Sequence, residues 1–270
     1  MHEWRLVIDD ALPGALNMAR DQALLKLYPT LQQPTLRMYR WQPACVSLGR
    51  AQRWARDVDH AACDALGIDV VRRPTGGRAI LHEHELTYSV VVGLEHSLIG
   101  RRGVVHSYRV LSAALQVGLA RLGVQSAFAP EQARQGHRPS YESAACFDEP
   151  ASYEITVGGR KLVGSAQARQ HDVLLQHGSL LLHADAARWA RVLRLPPTLA
   201  PHALKQRMIA LDEVLDTKPA FAQVADALAA GFADACGVTL VPGTLTQAEE
   251  ERAAQLVEEK YANPAWTQRR

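Results

Sequence analysis

Ser152-Tyr153-Glu154-Ile155-Thr156-Val157-Gly158-Gly159-Arg160-Lys161-Leu162-Val163-Gly164-Ser165-Ala166-Gln167-Ala168-Arg169 is two strand-forming runs around a glycine pair. Adjacent glycines supply the positive-φ backbone of a tight hairpin turn, so Ser152 to Val157 and Lys161 to Arg169 are expected to pair antiparallel. Val173 to Leu182 reads as the next strand. Upstream, Leu86, Tyr88, Val90 and Val92 alternate with Thr87, Ser89 and Val91, the period of a strand with one side in a core. Thr35 to Trp41, Cys45 to Gly49 and Ile68 to Arg73 are further strands.

Helical spacing marks the remaining segments. Leu12, Leu16, Ala19, Ala23 and Leu27 place a helix over 12–28, ending near Pro29. Val58 to Leu66 reads as a short helix closed by Gly67. Tyr108, Leu111, Leu115, Leu119 and Leu122 form one stripe of a helix over 106–122. Shorter patterns give helices over 184–193, 218–236 and 246–260, and the polar stretch 130–143 reads as a long loop. Hairpins between helical segments predict an α+β fold with a mixed, largely antiparallel sheet flanked by helices.

Composition narrows the class. The 270 residues are 47% apolar and 21% charged, which excludes wholesale disorder and is ample for a buried core. No repeat or low-complexity linker divides the chain, so one domain is expected over 1–270. Thirty basic against 28 acidic side chains give a formal net charge of +2, not the footprint of a nucleic-acid binder. No segment is apolar for long enough to span a bilayer, and Met1-His2-Glu3-Trp4 does not open a secretory signal. A cytoplasmic protein is expected, with no membrane and no nucleic acid among its partners. Cys45, Cys63, Cys146 and Cys236 are too few and too scattered for a disulfide scaffold.

Phosphate-loop, dinucleotide-binding and nucleophile-elbow signatures are absent. His82-Glu83-His84-Glu85 would set two imidazoles on one face of a strand, but no third ligand can be placed, so no metal is expected. Three segments carry more. In Arg72-Arg73-Pro74-Thr75-Gly76-Gly77-Arg78-Ala79-Ile80-Leu81-His82, a strand delivers two arginines to a Gly-Gly turn. That arrangement suits a phosphate- or carboxylate-bearing group, and equally a plain β-turn with solvated arginines. Lys161 follows the hairpin turn and alternates with Val163, so it either points into a cleft or stands exposed on an edge. Gly164 and Ser165 interrupt that strand, as happens where a ligand or another backbone comes close. Cys146, in Ser143-Ala144-Ala145-Cys146-Phe147, is either a buried thiol or a nucleophile activated by an electropositive neighbour.

Together and in this order, these segments resemble the biotin/lipoate protein ligase superfamily, over about residues 30–245 and again at Lys260-Tyr261 and Trp266. Outside that span the resemblance leaves N- and C-terminal helical extensions. Within the superfamily the pattern is most similar to LipM-type octanoyltransferases. The matching stretches are Ala145-Cys146-Phe147 followed by Pro150 and Ser152-Tyr153-Glu154, Gly159 to Arg169, and Leu175-Gln176-His177-Gly178-Ser179. The departure is Ala151, standing where that type often has Ser directly after Pro. ATP-dependent lipoate ligases more often carry a third glycine where Arg78 stands, and generally lack the cysteine.

The resemblance implies transfer of an octanoyl group from octanoyl-acyl carrier protein, through a thioester on Cys146, to a lysine. The acceptor would be the glycine-cleavage H protein or a lipoyl domain of a 2-oxoacid dehydrogenase. Cys146 and Lys161 would be catalytic. Arg72, Arg73, Gly76, Gly77, Arg78, His82, Gly164, Ser165, Ala166, His177 and Gly178 would bind substrate. No cofactor is implied, because exchanging one thioester for another is nearly isoenergetic and amide formation then runs downhill, so covalent catalysis needs no ATP. An ATP-dependent lipoate-protein ligase, or an amidotransferase moving octanoyl between lipoyl-bearing proteins, is the alternative.

Overall fold

The computed structural model describes residues 2–129 and 154–269. In chain order the first part comprises β1 (His2–Leu12), α1 (Gly14–Leu31), β2 (Thr35–Trp41), β3 (Cys45–Leu48), α2 (Trp54–Asp57) and α3 (His60–Ala65). It continues with β4 (Asp69–Arg72), β5 (Ile80–His82), β6 (Glu85–Gly93), α4 (Val104–Arg121) and β7 (Ala127–Phe128). The second part comprises β8 (Ile155–Val157), β9 (Arg160–Gln170), β10 (Val173–Leu181), α5 (Ala186–Val192), α6 (Pro201–Arg207) and α7 (Leu211–Leu215). It ends with α8 (Phe221–Cys236), β11 (Val238–Pro242), α9 (Gln247–Leu256), a π turn over Val257–Tyr261 and α10 (Pro264–Thr267).

Among the described residues, eight strands form one mixed sheet in the order β11-β1-β2-β6-β10-β9-β8-β7, and β4-β3-β5 form a smaller one. The α+β expectation holds. Gly158 and Gly159 both adopt positive φ, at 56° and 76°, and close the β8–β9 hairpin as anticipated. On one face of the large sheet, Leu86, Tyr88, Val90 and Val92 pack with Leu111, Leu115 and Leu119 of α4 and Leu228 and Phe232 of α8. The two helices touch backbone to backbone: a Cβ on Gly231 would stand 2.3 Å from the Gly118 nitrogen. On the other face lie α1 and the small sheet. This layer buries the Thr87 and Ser89 side of β6 as well, so the strand expected to have one covered face is covered on both.

Four local differences have identifiable causes. Residues 2–12 are not part of a helical extension but a strand, paired parallel with β2 and β11, and Asp9 is neutralised by Arg20 and Arg37 from elsewhere in the chain. The helix expected to stop near Pro29 continues through it to Leu31, where left-handed Gln32 closes it. The helix expected over Val58 to Leu66 begins at His60, because the Asp59 carboxylate accepts from the Ala62 N–H at 3.0 Å and caps it there. The segment between the helices expected at 184–193 and 218–236 holds α6 and α7, too short to show a periodic stripe. The 130–143 loop lies outside the described residues.

Candidate active site

Between the large sheet and the small one lies a pocket of about 340 Å³, counted to its open mouth. Met18 of α1, Tyr39 and Trp41 of β2, Ser47 of β3, Arg73, Ile80, His82, Thr87, and the facing stretches Gly164–Ala166 and His177–Ser179 line it. Strand alternation explains the membership. Gly164 pairs with Ser179 and Ala166 with His177, so those four share one face, while Val163 and Leu180 turn to the α4/α8 core. Glycine and alanine on β9 leave room where larger side chains would fill the cavity.

Two hydroxyl–imidazole–carboxylate chains form its polar walls. Nδ1 of His177 lies 2.9 Å from Oδ2 of Asp21, and its Nε2 lies 2.7 Å from the Thr75 hydroxyl. Burial lowers the His177 pKa, with the charges of Arg73 and His82 acting in the same direction. The ring is therefore neutral, with Nδ1–H donating to Asp21 and Nε2 accepting from Thr75. Burial alone would raise the Asp21 carboxyl, but the His177 hydrogen bond and the Arg37 charge overcome it and hold Asp21 below the usual carboxylate range. Arg37, wholly buried, donates to Asp21, Asp9 and Asn17, and Tyr39 and Ser89 also donate to Asp21.

The second chain runs through His82. Its Nε2 lies 2.7 Å from the Ser47 hydroxyl and its Nδ1 lies 2.6 Å from Oε1 of Glu85. The ring stacks on Trp41 with centroids 3.9 Å apart. Glu85 also accepts from the hydroxyls of Thr87 and Ser179, and Thr87 accepts from the Trp41 indole at 2.8 Å. The walls are polar in composition, yet their polar atoms are bonded to one another, which leaves an apolar chain nothing to desolvate. His84 does not share a strand face with His82: β5 ends at His82, and His84 sits in the left-handed region at φ 52°. Among the described residues, no three metal-ligating side chains gather.

The paired arginines part company. Arg73 lines the pocket but directs its guanidinium to the carbonyls of Ser47, Gly76 and Arg78, holding the Gly-Gly turn shut rather than facing outward to an anion. Gly76, Gly77 and Arg78 thus support the pocket wall without lining it. Arg72 points the other way, fully buried, and bonds the carbonyls of Gly49, Gln52, Thr267 and Arg269, so it ties the C-terminal segment to β4 and does not reach the pocket. The side chain of Ser165 also turns away: its hydroxyl bonds Tyr88 at 2.7 Å, and only its backbone borders the cavity. Gly178 is required for packing, since a Cβ there would meet Ser165 Oγ at 2.5 Å and the Gly164 carbonyl at 2.7 Å.

Lys161 is buried, not exposed on an edge, and its Nζ lies 2.5 Å from Oε1 of Glu154. Its direction comes from a β-bulge. Ile155 pairs with Val163 but Thr156 pairs with Lys161, so Leu162 is an extra residue in β9. Cross-strand partners share a face, so the bulge turns Lys161 away from the Val163 side and onto the face of Gly164 and Ala166. Simple alternation with Val163 would have sent it into the α4/α8 core. Cys146 lies outside the described residues. The other three thiols are held above the ordinary cysteine value by burial: Cys45 well above it, Cys63 at about 11 and Cys236 at about 12. All three are protonated packing residues.

Sequence reasoning missed Asp21, Tyr39, Trp41, Ser47, Thr75 and Glu85. Asp21 had a usable signal, an acid one turn from Met18 and Leu25 in an apolar stretch. The hydroxyls had none.

Comparison with known proteins accords with this geometry. Residues 13–233 match the lipoyl protein ligase A/B catalytic domain. The chain is 44% identical to an octanoyltransferase LipM of Symbiobacterium thermophilum, covering 99% of this chain and 98% of that protein. It is 43% identical to an octanoyltransferase LipM of Kyrpidia tusciae over the full length of both. Among solved structures it superposes on a lipoate-protein ligase A bound with ATP, at a TM-score of 0.81 and 25% identity over 98% of each chain. A putative lipoate protein ligase from T. acidophilum with bound lipoic acid has the same fold, with a TM-score of 0.79 at 24% identity over 99% of this chain and 100% of that one.

Proposed function

The chain belongs to the lipoyl protein ligase A/B catalytic domain family, and from that premise we propose that it carries octanoyl from octanoyl-acyl carrier protein, through Cys146, to a lysine of a lipoyl-accepting protein. That it is an octanoyltransferase of lipoate biosynthesis is supported by curated octanoyltransferases 36% to 44% identical across its whole length. The acceptor in this reading is the glycine-cleavage H protein or a lipoyl domain, and donor and acceptor meet the enzyme in the cytoplasm.

The observation that carries the reading is the buried Lys161, paired with Glu154 and turned by the β9 bulge to the pocket face. A buried ammonium persists only when paired, and Glu154 supplies the partner. Glu154 follows Cys146 by eight positions in the sequence. In the first step the Cys146 thiolate attacks the donor thioester carbonyl. The carrier's sulfur leaves and takes a proton from the Lys161 ammonium. In the second step the acceptor lysine's amine attacks the Cys146 thioester, an amide forms, Cys146 leaves as the thiolate, and the Lys161 amine, left neutral by the first step, takes up the attacking amine's proton. The octanoyl tail lies along Gly164–Ala166 and against Trp41. At about 0.8 kcal/mol per buried methylene it contributes several kcal/mol of binding.

Mass spectrometry after incubation with octanoyl-acyl carrier protein and no ATP tests this. One octanoyl group is expected on Cys146, then on the acceptor lysine once acceptor is added. Absence of the adduct, or full turnover in Cys146→Ser, would overturn it. Turnover only with ATP and free octanoate would indicate a ligase, and turnover from an octanoylated acceptor without carrier protein an amidotransferase.

A further inference from the structure

Between Asp185 and Asp212 the chain carries five cations, Arg188, Arg191, Arg194, Lys205 and Arg207, and not one carboxylate, in a protein whose whole sequence holds 30 basic and 28 acidic side chains. The stretch forms α5, a 3-10 turn over Pro197–Leu199 and α6, and none of it lines the acyl pocket. It borders a groove of about 780 Å³, counted to its open mouth. Leu195, Pro196, Pro197 and Ala200 line that groove together with the exposed Arg191 and Arg194. Among the described lining residues only Asp59 is acidic, and its carboxylate is engaged in capping α3. Lys205, also exposed, stands one turn beyond Pro201 on the same side of α6, and Pro201 borders the groove too.

Arg188 is paired with Glu83, and Arg194 donates to the Ala55 carbonyl of α2 at 3.1 Å. Arg191 and Lys205 have no carboxylate partner among the described residues. An apolar concavity edged by charges of one sign favours a partner that presents carboxylates around an apolar surface, and repels a basic one. The place of the groove says which partner. Met208, directly after α6, bridges to Lys161, and the Ile209 N–H donates to the Lys161 carbonyl at 3.0 Å. The seven residues of α6 set the groove roughly 10 Å from that bridge, at about 1.5 Å of rise per residue. An acceptor has to close round the reacting atoms to bring in its lysine. A donor that holds its acyl group at the end of a prosthetic arm seats its protein surface at a distance from them.

We propose that the α5–α6 groove, edged by Arg191, Arg194 and Lys205, is the docking surface for an acidic face of the protein that carries the acyl donor. The proposal rests on the octanoyl-transfer reading and adds to it the surface where the donor's protein part binds. Leu195, Pro196 and Pro197 take an apolar ridge of the partner, while the three cations meet the carboxylates beside it and steer its approach. α6 then sets the distance from the docked carrier to Lys161.

The test is steady-state octanoyl transfer by the full-length protein from octanoyl-acyl carrier protein and, in parallel, from octanoyl-pantetheine, the same thioester without the protein. Arg191→Glu, Lys205→Glu and Ala200→Asp are compared with the wild type. Ala200 precedes α6 and its side chain caps nothing, so Asp there favours the helix while placing a negative charge in the groove. Each variant should raise KM for octanoyl-carrier protein about threefold to tenfold with kcat unchanged, and added salt should raise the wild-type KM more steeply than that of Arg191→Glu. KM for octanoyl-pantetheine and for the acceptor should stay at wild-type values. An unchanged KM for the carrier protein in all three variants, an equal rise with octanoyl-pantetheine, or a rise for the acceptor alone would overturn the proposal. Failure of the octanoyl-transfer reading shows elsewhere, as absence of turnover by the wild type with both donors, and would overturn the docking surface along with it.

Discussion

Asp21 and His177, 156 positions apart, meet at the wall of the pocket with Oδ2 accepting from Nδ1–H at 2.9 Å. The other oxygen of Asp21 receives Arg37 and Ser89, so one carboxylate joins α1, β2, β6 and β10. Both groups have folded-state pKa values below their ordinary ones, Asp21 beneath 3.8 and His177 beneath 6.5. The unfolded chain then binds more protons, and stability rises with pH. The His177 contribution is complete above about pH 6.5 and fades as pH falls toward its folded value, and that of Asp21 fades below about pH 4. Urea midpoints should therefore fall steadily from about pH 7 to about pH 4. Asp21→Asn should lose about 1–3 kcal/mol at neutral pH, since Arg37 keeps Asp9 as its partner while the buried His177, Tyr39 and Ser89 donors lose a charged acceptor, and should flatten the acid limb. A profile in Asp21→Asn as steep as that of the wild type would contradict the assignment.

Lys161→Met should lower octanoyl transfer by at least about a hundredfold, because the thiolate loses its cation and the leaving sulfur its proton source. Glu154→Gln removes the carboxylate paired with the same buried ammonium and should lower stability, seen by chemical denaturation. If Lys161→Met folds and turns over at the wild-type rate, the lysine has no chemical role.

Gly178→Ala addresses packing alone. The added methyl group meets Ser165 Oγ and the Gly164 carbonyl on β9 and the Tyr88 ring on β6, the last at 2.6 Å. A loss of about 1–3 kcal/mol is expected, with a rise in KM for the octanoyl donor as β9 is pushed from β10. A melting temperature equal to that of the wild type would show that the strands separate without penalty.

Glu85→Ala removes the acceptor for His82, Thr87 and Ser179 at once. Three buried donors are left searching, and the Trp41 stack loses its support through Thr87. About 1–3 kcal/mol of destabilisation is expected for each donor that stays unpaired. Glu85→Gln keeps an acceptor oxygen and should recover much of that stability and of the KM. Equal behaviour of the two variants would rule out the hydrogen-bonded network as the cause.

Much of the fold was legible because its strands and hairpin depend on local rules. Gly158-Gly159 needs positive φ wherever it occurs, and the β6 alternation reports one packed face regardless of what packs there. β1 had no strand reading in the sequence, and in the fold Arg37 and Arg20, from the next strand and helix, pair with its Asp9. The helix expected over 12–28 runs from Gly14 to Leu31 with Ala19 and Ala23 of the expected stripe buried, but two polar residues are buried with them. Asn17 and Asp21 are enclosed because β2 brings Arg37 to them, a contact with no trace in helical periodicity.

The site divides the same way. Composition, spacing and family resemblance alone determined the α+β class, the candidate chemistry of Cys146 and Lys161, and the strands that carry His177 and Gly164–Ala166. Those follow from residue type and order. Only the tertiary structure separated Arg73, at the pocket wall, from Arg72, which anchors the C-terminal segment, since neighbours on a strand point to opposite faces. Only it turned Lys161 through a one-residue bulge, and only it joined Asp21 to His177 and Glu85 to His82. The physical reason is that hydrogen bonds and ion pairs depend on distances and angles between groups that chain order leaves far apart, and packing of the two sheets decides those distances.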